Sequence, residues 1–111
     1  MMVLSPNAKF YLYQGSISMH CSFEGLSAAV QKIFPVEITS GAYFIFVNKK
    51  RDKMKVLYWD NDGLAIWYKR LEKGGFSKNL LENKNLIERR EFFMLLEGIT
   101  PKRIQNRFTL T

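Results

Sequence analysis

A chain of 111 residues that is 47% hydrophobic, with nine Phe, five Tyr and two Trp, is too apolar for a disordered tail and long enough for one core but not two. One cysteine and one histidine exclude an internal disulfide and a Cys/His zinc site, and the longest apolar run, Ala42 to Val47, is far short of a membrane span. The net charge of +7 lies wholly beyond residue 48, because Lys9 and Lys32 are balanced by Glu24 and Glu37, so the C-terminal half sets up a field suited to a polyanion, nucleic acid foremost.

Met1 to Tyr13 lacks a charged segment followed by an apolar one, so no export leader is read there, and a reducing cytoplasm is the expected location. No repeat, low-complexity tract or composition break divides the chain. A single domain over residues 1–111 is expected, with 102–111 a basic tail that frays.

Lys9 to Gln14 is aromatic and β-prone and ends at Gly15, which predicts a short strand and a turn. Ser22 suits the N-cap of a helix from Phe23 to Phe34, in which Phe23, Leu26, Val30, Ile33 and Phe34 recur at helical spacing and Pro35 ends the run. From Ala42 the period becomes that of strands: Tyr43 to Val47, Lys53 to Trp59, and Leu64 to Leu71 form a predicted meander. Asn48 to Asp52 makes the first link, and Asp60-Asn61-Asp62-Gly63 suits a type I turn closed by a glycine at positive φ. Gly74-Gly75 breaks the pattern, Phe76 returns briefly to the sheet, and Ser77 to Lys84 reads as a polar connector. A second helix, Glu88 to Gly98, carries Phe92, Leu95, Leu96 and Ile99 at helical spacing, with Gly98 as C-cap and Pro101 beyond. The fold class expected is α+β, a small antiparallel β meander of about four to five strands packed with two helices.

The chemistry-bearing pattern is a basic hairpin: Lys49, Lys50, Arg51, Lys53 and Lys55, then Lys69, Arg70 and Lys73 on the neighbouring strand. Pairing Lys55 with Tyr68 and Lys53 with Arg70 interleaves cations and aromatics, a surface that holds phosphates and stacks on bases. The same lysines would also serve as a solvated guard on a sheet edge. Tyr58 and Trp67 fall on one face of the hairpin and Trp59 and Tyr68 on the other, so one face packs under the two helices and the other is left as an aromatic patch, unless all four serve the core.

Asp60 and Asp62 are close enough in sequence to ligate a divalent cation, but the twelfth position of a calcium loop is Leu71 rather than Glu, and Asp and Asn in a hairpin turn ordinarily bond their own backbone. Cys21 beside His20 has no orienting acid for nucleophilic catalysis, and Gly74-Gly75 lacks the Lys and helix of a phosphate loop. No cofactor is expected.

Phe46-Val47-Asn48-Lys49-Lys50-Arg51-Asp52-Lys53-Met54-Lys55-Val56-Leu57-Tyr58-Trp59-Asp60-Asn61-Asp62-Gly63 resembles the central block of the TnpB-type accessory proteins of the IS sixty-six group of bacterial insertion sequences. Lys69 to Gly74 with Phe76, the earlier Phe23-Glu24-Gly25-Leu26 and the later Met94 to Ile99 are similar to further blocks of that family, in its order and nearly over the whole chain. Trp59, Asp60, Asp62 and Gly63 form the structural turn of the resemblance. The family is unrelated to the much longer RNA-guided nucleases that share the label. The resemblance implies a non-enzymatic accessory protein in DNA transposition, acting beside the element's transposase, with DNA and that transposase as partners and no catalytic residue. Relatives carry an Arg-Lys pair just ahead of the Phe-x-Gly-Leu block where this chain has His20-Cys21-Ser22. Weaker binding, transfer of contact to the Lys49 to Arg51 turn, and a divergent element stay open as explanations. Two rival readings stand beside it: a metal-dependent nuclease or phosphatase on Asp60 and Asp62 with Glu72 or Glu97 as third ligand, and a protein adaptor whose basic surface meets an acidic patch on the transposase.

Overall fold

The computed structural model describes residues 4–77 and 84–97. Within them the order is β1 (Phe10–Leu12), α1 (Phe23–Ile33), β2 (Tyr43–Val47), β3 (Lys53–Asp60), β4 (Gly63–Arg70), β5 (Leu86–Ile87) and α2 (Arg89–Leu96). The strands make one sheet in the order β4-β3-β2-β1-β5, and with the two helices this is a small α+β fold.

The expected meander is present. β2 and β3 pair antiparallel with Val47 opposite Met54, and β3 and β4 pair with Lys53 opposite Arg70 and Lys55 opposite Tyr68. The sheet as a whole is mixed, because β1 runs parallel to β2, with Phe10 opposite Tyr43. A parallel pair needs a long crossover, and α1 supplies it. The fifth strand is β5, which pairs antiparallel with β1, whereas Phe76, expected to rejoin the sheet, lies outside any strand and is fully buried.

Strand alternation sends side chains to two faces, and each face is covered by its own helix. On one side Phe10, Leu12, Tyr43, Ile45, Val47, Met54 and Val56 pack with Phe92 and Leu95 of α2 and with Phe76. Phe92 stacks on Phe10 at 4.6 Å between ring centroids. On the other side Tyr11, Phe44, Phe46 and Leu57 pack with Leu26 and Val30 of α1 and with Phe34. Leu26 and Val30, at 0% exposure, each stabilise the fold by about 1.5–3 kcal/mol. Phe23 and Ile33, counted in the same stripe from spacing, lie at its margins and are 44% exposed.

Because β1 and β2 are buried on both faces, their residues read as unbroken apolar runs rather than as alternation, the pattern of a strand covered on both sides. The hairpin turn departs from expectation in one respect. Gly63 is already paired with Asp60 inside the strand, and the left-handed residue is Asn61, at φ 64°. Positive φ at the first central position matches a primed hairpin turn, whose twist suits the flanking strands, and asparagine tolerates it.

α1 starts after Ser22, whose side chain makes no capping bond. α2 starts with a capping box between Glu88 and Glu91, which satisfies two backbone donors at the helix start. Residues 78–83 of the expected connector, the expected C-cap Gly98, Ile99, Pro101 and the tail 102–111 lie outside the described residues. Among the described residues no helix is long and apolar enough to cross a membrane.

Candidate nucleic-acid interface

The link between β2 and β3 is a built loop. The N–H of Arg51 donates to the Asn48 carbonyl at 3.0 Å, closing a four-residue turn with Lys49 and Lys50 at its centre. Arg51 then takes φ 63°, which reverses the chain into β3. Asn48 braces the loop from inside: its Nδ2 donates to Asp52 Oδ1 at 2.7 Å, and its Oδ1 accepts from the Lys53 N–H at 3.0 Å. The Asn48 amide, and beyond it Lys53 and Lys50, outweigh the effect of burial and hold the Asp52 carboxyl below its ordinary 3.8.

A second segment buttresses this loop. The N–H of Leu71 donates to Asp52 O and that of Phe76 to Arg51 O, both at 2.7 Å. Gly75 sits so close that a Cβ there would lie 3.0 Å from the Arg51 carbonyl oxygen. Lys73, exposed, is carried on this segment, and Arg70 lies opposite Lys53 at the end of β4. Lys49, Lys50, Arg51, Lys53, Arg70 and Lys73 are thus gathered at one end of the sheet. Arg70 shares its charge with Glu72 at 3.2 Å, an exposed pair of little energetic weight. Among the described residues Lys49, Lys50 and Lys53 have no carboxylate partner within salt-bridge distance.

The remaining cations of the expected set are placed differently. Lys55 is 8% exposed. Its Nζ donates to the carbonyls of Met19 at 2.7 Å and Cys21 at 2.8 Å and lies 5.0 Å from the centre of the Tyr68 ring. Lys69 is on the opposite face of the sheet, where its Nζ donates to Leu96 O at 3.1 Å. Both ammonium groups tie the fold together: Lys55 holds the 16–21 loop and Lys69 the end of α2. The interleaving of cations and aromatics is present in register, yet of the hairpin aromatics Tyr58, Trp59, Trp67 and Tyr68 only Tyr68, 50% exposed, is open. Tyr58, Trp59 and Trp67 are half-buried, and both faces of the sheet carry a helix, so among the described residues the hairpin keeps no broad aromatic patch.

The loop that Lys55 holds was not recognisable as part of a site in the sequence. Residues 16–20 fold over the end of the α1 face, with Ile17 N–H donating to Val47 O at 3.3 Å, Cys21 N–H to Ser18 O at 3.0 Å and His20 N–H to Ser18 Oγ at 3.2 Å. Between this loop and the basic turn lies a depression of about 350 Å³ whose lining includes Ser16, Ser18, His20, Lys49, Lys50 and Lys53. His20 therefore lines the same depression as the lysine turn, from the opposite wall.

The turn at the other end of the hairpin offers no comparable assembly. Asp60 and Asp62 are exposed, and the Asp62 N–H is bonded to Asp60 O. Glu72 follows the far end of β4 and is bound to Arg70. Among the described residues no group of three or more His, Cys, Asp or Glu side chains is placed to hold a metal ion. Trp59 and Gly63 are paired strand residues flanking the turn.

Comparison with known proteins bears on the whole of this arrangement. The chain is 28% identical over 76 residues to an uncharacterized protein of Sinorhizobium fredii designated y4hO, an alignment covering 68% of this chain and 66% of that protein. It is 29% identical over 84 residues to another from the same organism, y4jC, covering 75% of this chain and 72% of that one. The alignment thus spans just under two thirds of the first relative's length. No solved structure matches the chain. The family match runs over residues 8–106, from the residues ahead of β1 through both helices and all five strands: the chain belongs to the IS66 Orf2 like protein family, TnpB_IS66.

Proposed function

We propose that the protein is a non-enzymatic helper of transposition that holds DNA with the basic end of its sheet and works beside the transposase of its element. The observation that carries this reading is the set of Lys49, Lys50 and Lys53 ammonium groups, which make no salt bridge among the described residues and are displayed on a loop whose backbone is already fixed. Ordering that loop costs nothing at the moment of binding, so the field of the cations goes into holding the ligand. Arg51, Arg70 and Lys73 widen the same positive end.

A salt titration on the element's terminal DNA against scrambled DNA, with and without the transposase, tests the reading. Binding by the protein alone should weaken as salt rises, with a log–log slope of about −0.9 per phosphate contacted on duplex DNA. Reversing Lys49, Lys50 and Arg51 to Glu should abolish retention at about 150 mM salt while the fold persists. Unchanged retention refutes the DNA reading. Retention that appears only with the transposase present makes the basic end a surface for an acidic protein partner instead.

A further inference from the structure

We propose that the depression between residues 16–20 and the 48–53 loop is a binding site for a single phosphate group, supplied by a nucleic-acid strand. The inference rests on the DNA reading above and narrows it from a charged end to one pocket with named walls.

Three features point to phosphate. The first is donor chemistry: Lys49, Lys50 and Lys53 line one side, and Ser16, Ser18 and His20, residue types that carry hydroxyl and imidazole donors, line the other. A phosphate presents acceptor oxygens in several directions at once, and donors on opposing walls satisfy them together. The second is that both walls are built before any ligand arrives. The lysine wall is braced by Asn48, and the opposite wall is fixed by Lys55, which spends its buried ammonium on the carbonyls of Met19 and Cys21. The third is charge balance. Asp52 stands behind the lysine wall, bonded to Asn48 rather than lining the depression, so the depression itself is left cationic.

Another depression, about 450 Å³, lies near the opposite ends of β1 and β2 and has Lys9 in its lining. It provides an internal control, because K9A and K53A remove the same charge from the same fold.

The test is amide NMR of the full chain titrated separately with inorganic phosphate, a 12-nucleotide DNA strand and a deca-glutamate peptide, together with DNA affinities of K53A and K9A. The expected result is that DNA and phosphate shift the same amides, those of Ser16, Ser18, His20, Lys49 and Lys50, with phosphate competing against DNA. K53A should weaken DNA binding about tenfold, and K9A less than twofold. DNA that binds while those amides stay still, or equal weakening by K53A and K9A, overturns the phosphate site and leaves the general DNA reading standing. Phosphate that shifts these amides while DNA does not bind overturns the DNA reading and shows a site for a free phosphorylated ligand. Deca-glutamate that shifts the same amides as tightly as DNA overturns the phosphate assignment in favour of an acidic protein segment.

Discussion

Replacing Lys55 by methionine separates two roles for one residue. As a DNA contact, Lys55 would be dispensable for folding; as found, it is a buried pin. Its ammonium makes two hydrogen bonds to main-chain carbonyls, at 2.7 and 2.8 Å, and charge-assisted bonds of this kind contribute about 1.5–3 kcal/mol each. The contact with the Tyr68 ring at 5.0 Å adds about 0.5–1 kcal/mol. Against this stands the relief of no longer burying an ammonium group at 8% exposure, since apolar replacements of buried charges recover much of the desolvation cost. Methionine keeps the apolar stem but leaves the Met19 and Cys21 carbonyls without their donor. The net loss expected for K55M is about 2 kcal/mol.

In urea, at a slope of about 1.5 kcal/mol/M for a chain of this size, that loss moves the unfolding midpoint down by about 1.3 M with the slope unchanged. Amide exchange gives the local readout. The Ile17 and Cys21 N–H groups, bonded to Val47 O and Ser18 O, should lose more protection than those of α2, because the pin holds the 16–21 loop directly. A midpoint shift below about 0.3 M together with unchanged exchange at Ile17 and Cys21 refutes the reasoning. The loop is then held by something other than Lys55.

The other predictions probe separate supports of the same site. G75A sets a Cβ against the Arg51 carbonyl, 3.0 Å away, where backbone must yield, and should cost about 1–3 kcal/mol by chemical denaturation; a neutral result means the 71–76 segment does not buttress the basic turn. F92A removes a fully buried ring stacked on Phe10 and should cost about 3–5 kcal/mol, read as a fall in the unfolding midpoint. Glu91 supplies a pH dependence. Burial pushes its carboxyl up, but the Glu88 N–H and Lys84 outweigh that and hold it below its ordinary 4.5. Its contribution is therefore present above that value and is lost as pH falls through the depressed folded pKa. E91Q should be less stable than the parent at neutral pH and converge with it in acid, and a gap that stays constant across the range rules this out.

Much of the fold was legible because its signals are local. The meander follows from strands bounded by Asn48 to Asp52 and Asp60 to Gly63, and the pairing of Lys53 with Arg70 and Lys55 with Tyr68 could be counted from a short turn. The parallel pairing of β1 with β2 was implicit in a strand, a helix and a strand in succession, yet parallel pairing is set across a long connection rather than by any turn chemistry. β5 left no trace because two residues, Leu86 and Ile87, are too few to show a period. Phe76 misled for a related reason: an isolated aromatic after Gly74-Gly75 reads equally as strand or as core plug.

The basic loop was legible as charge, but which lysines it displays was not, since strand alternation alone does not say which face a helix will cover. Once α1 lies on the Lys55 face and α2 on the Lys69 face, these two cations are drawn inward and the exposed set contracts to the end of the sheet. The same docking brings residues 16–20 against Lys49, Lys50 and Lys53, more than 25 positions away along the chain. Lys55 thus acts on the basic end from beneath, as the residue that fixes one of its walls. A site with two fixed walls, one of them lined by lysines, can discriminate among anions by shape, whereas a bare lysine hairpin would respond to charge alone.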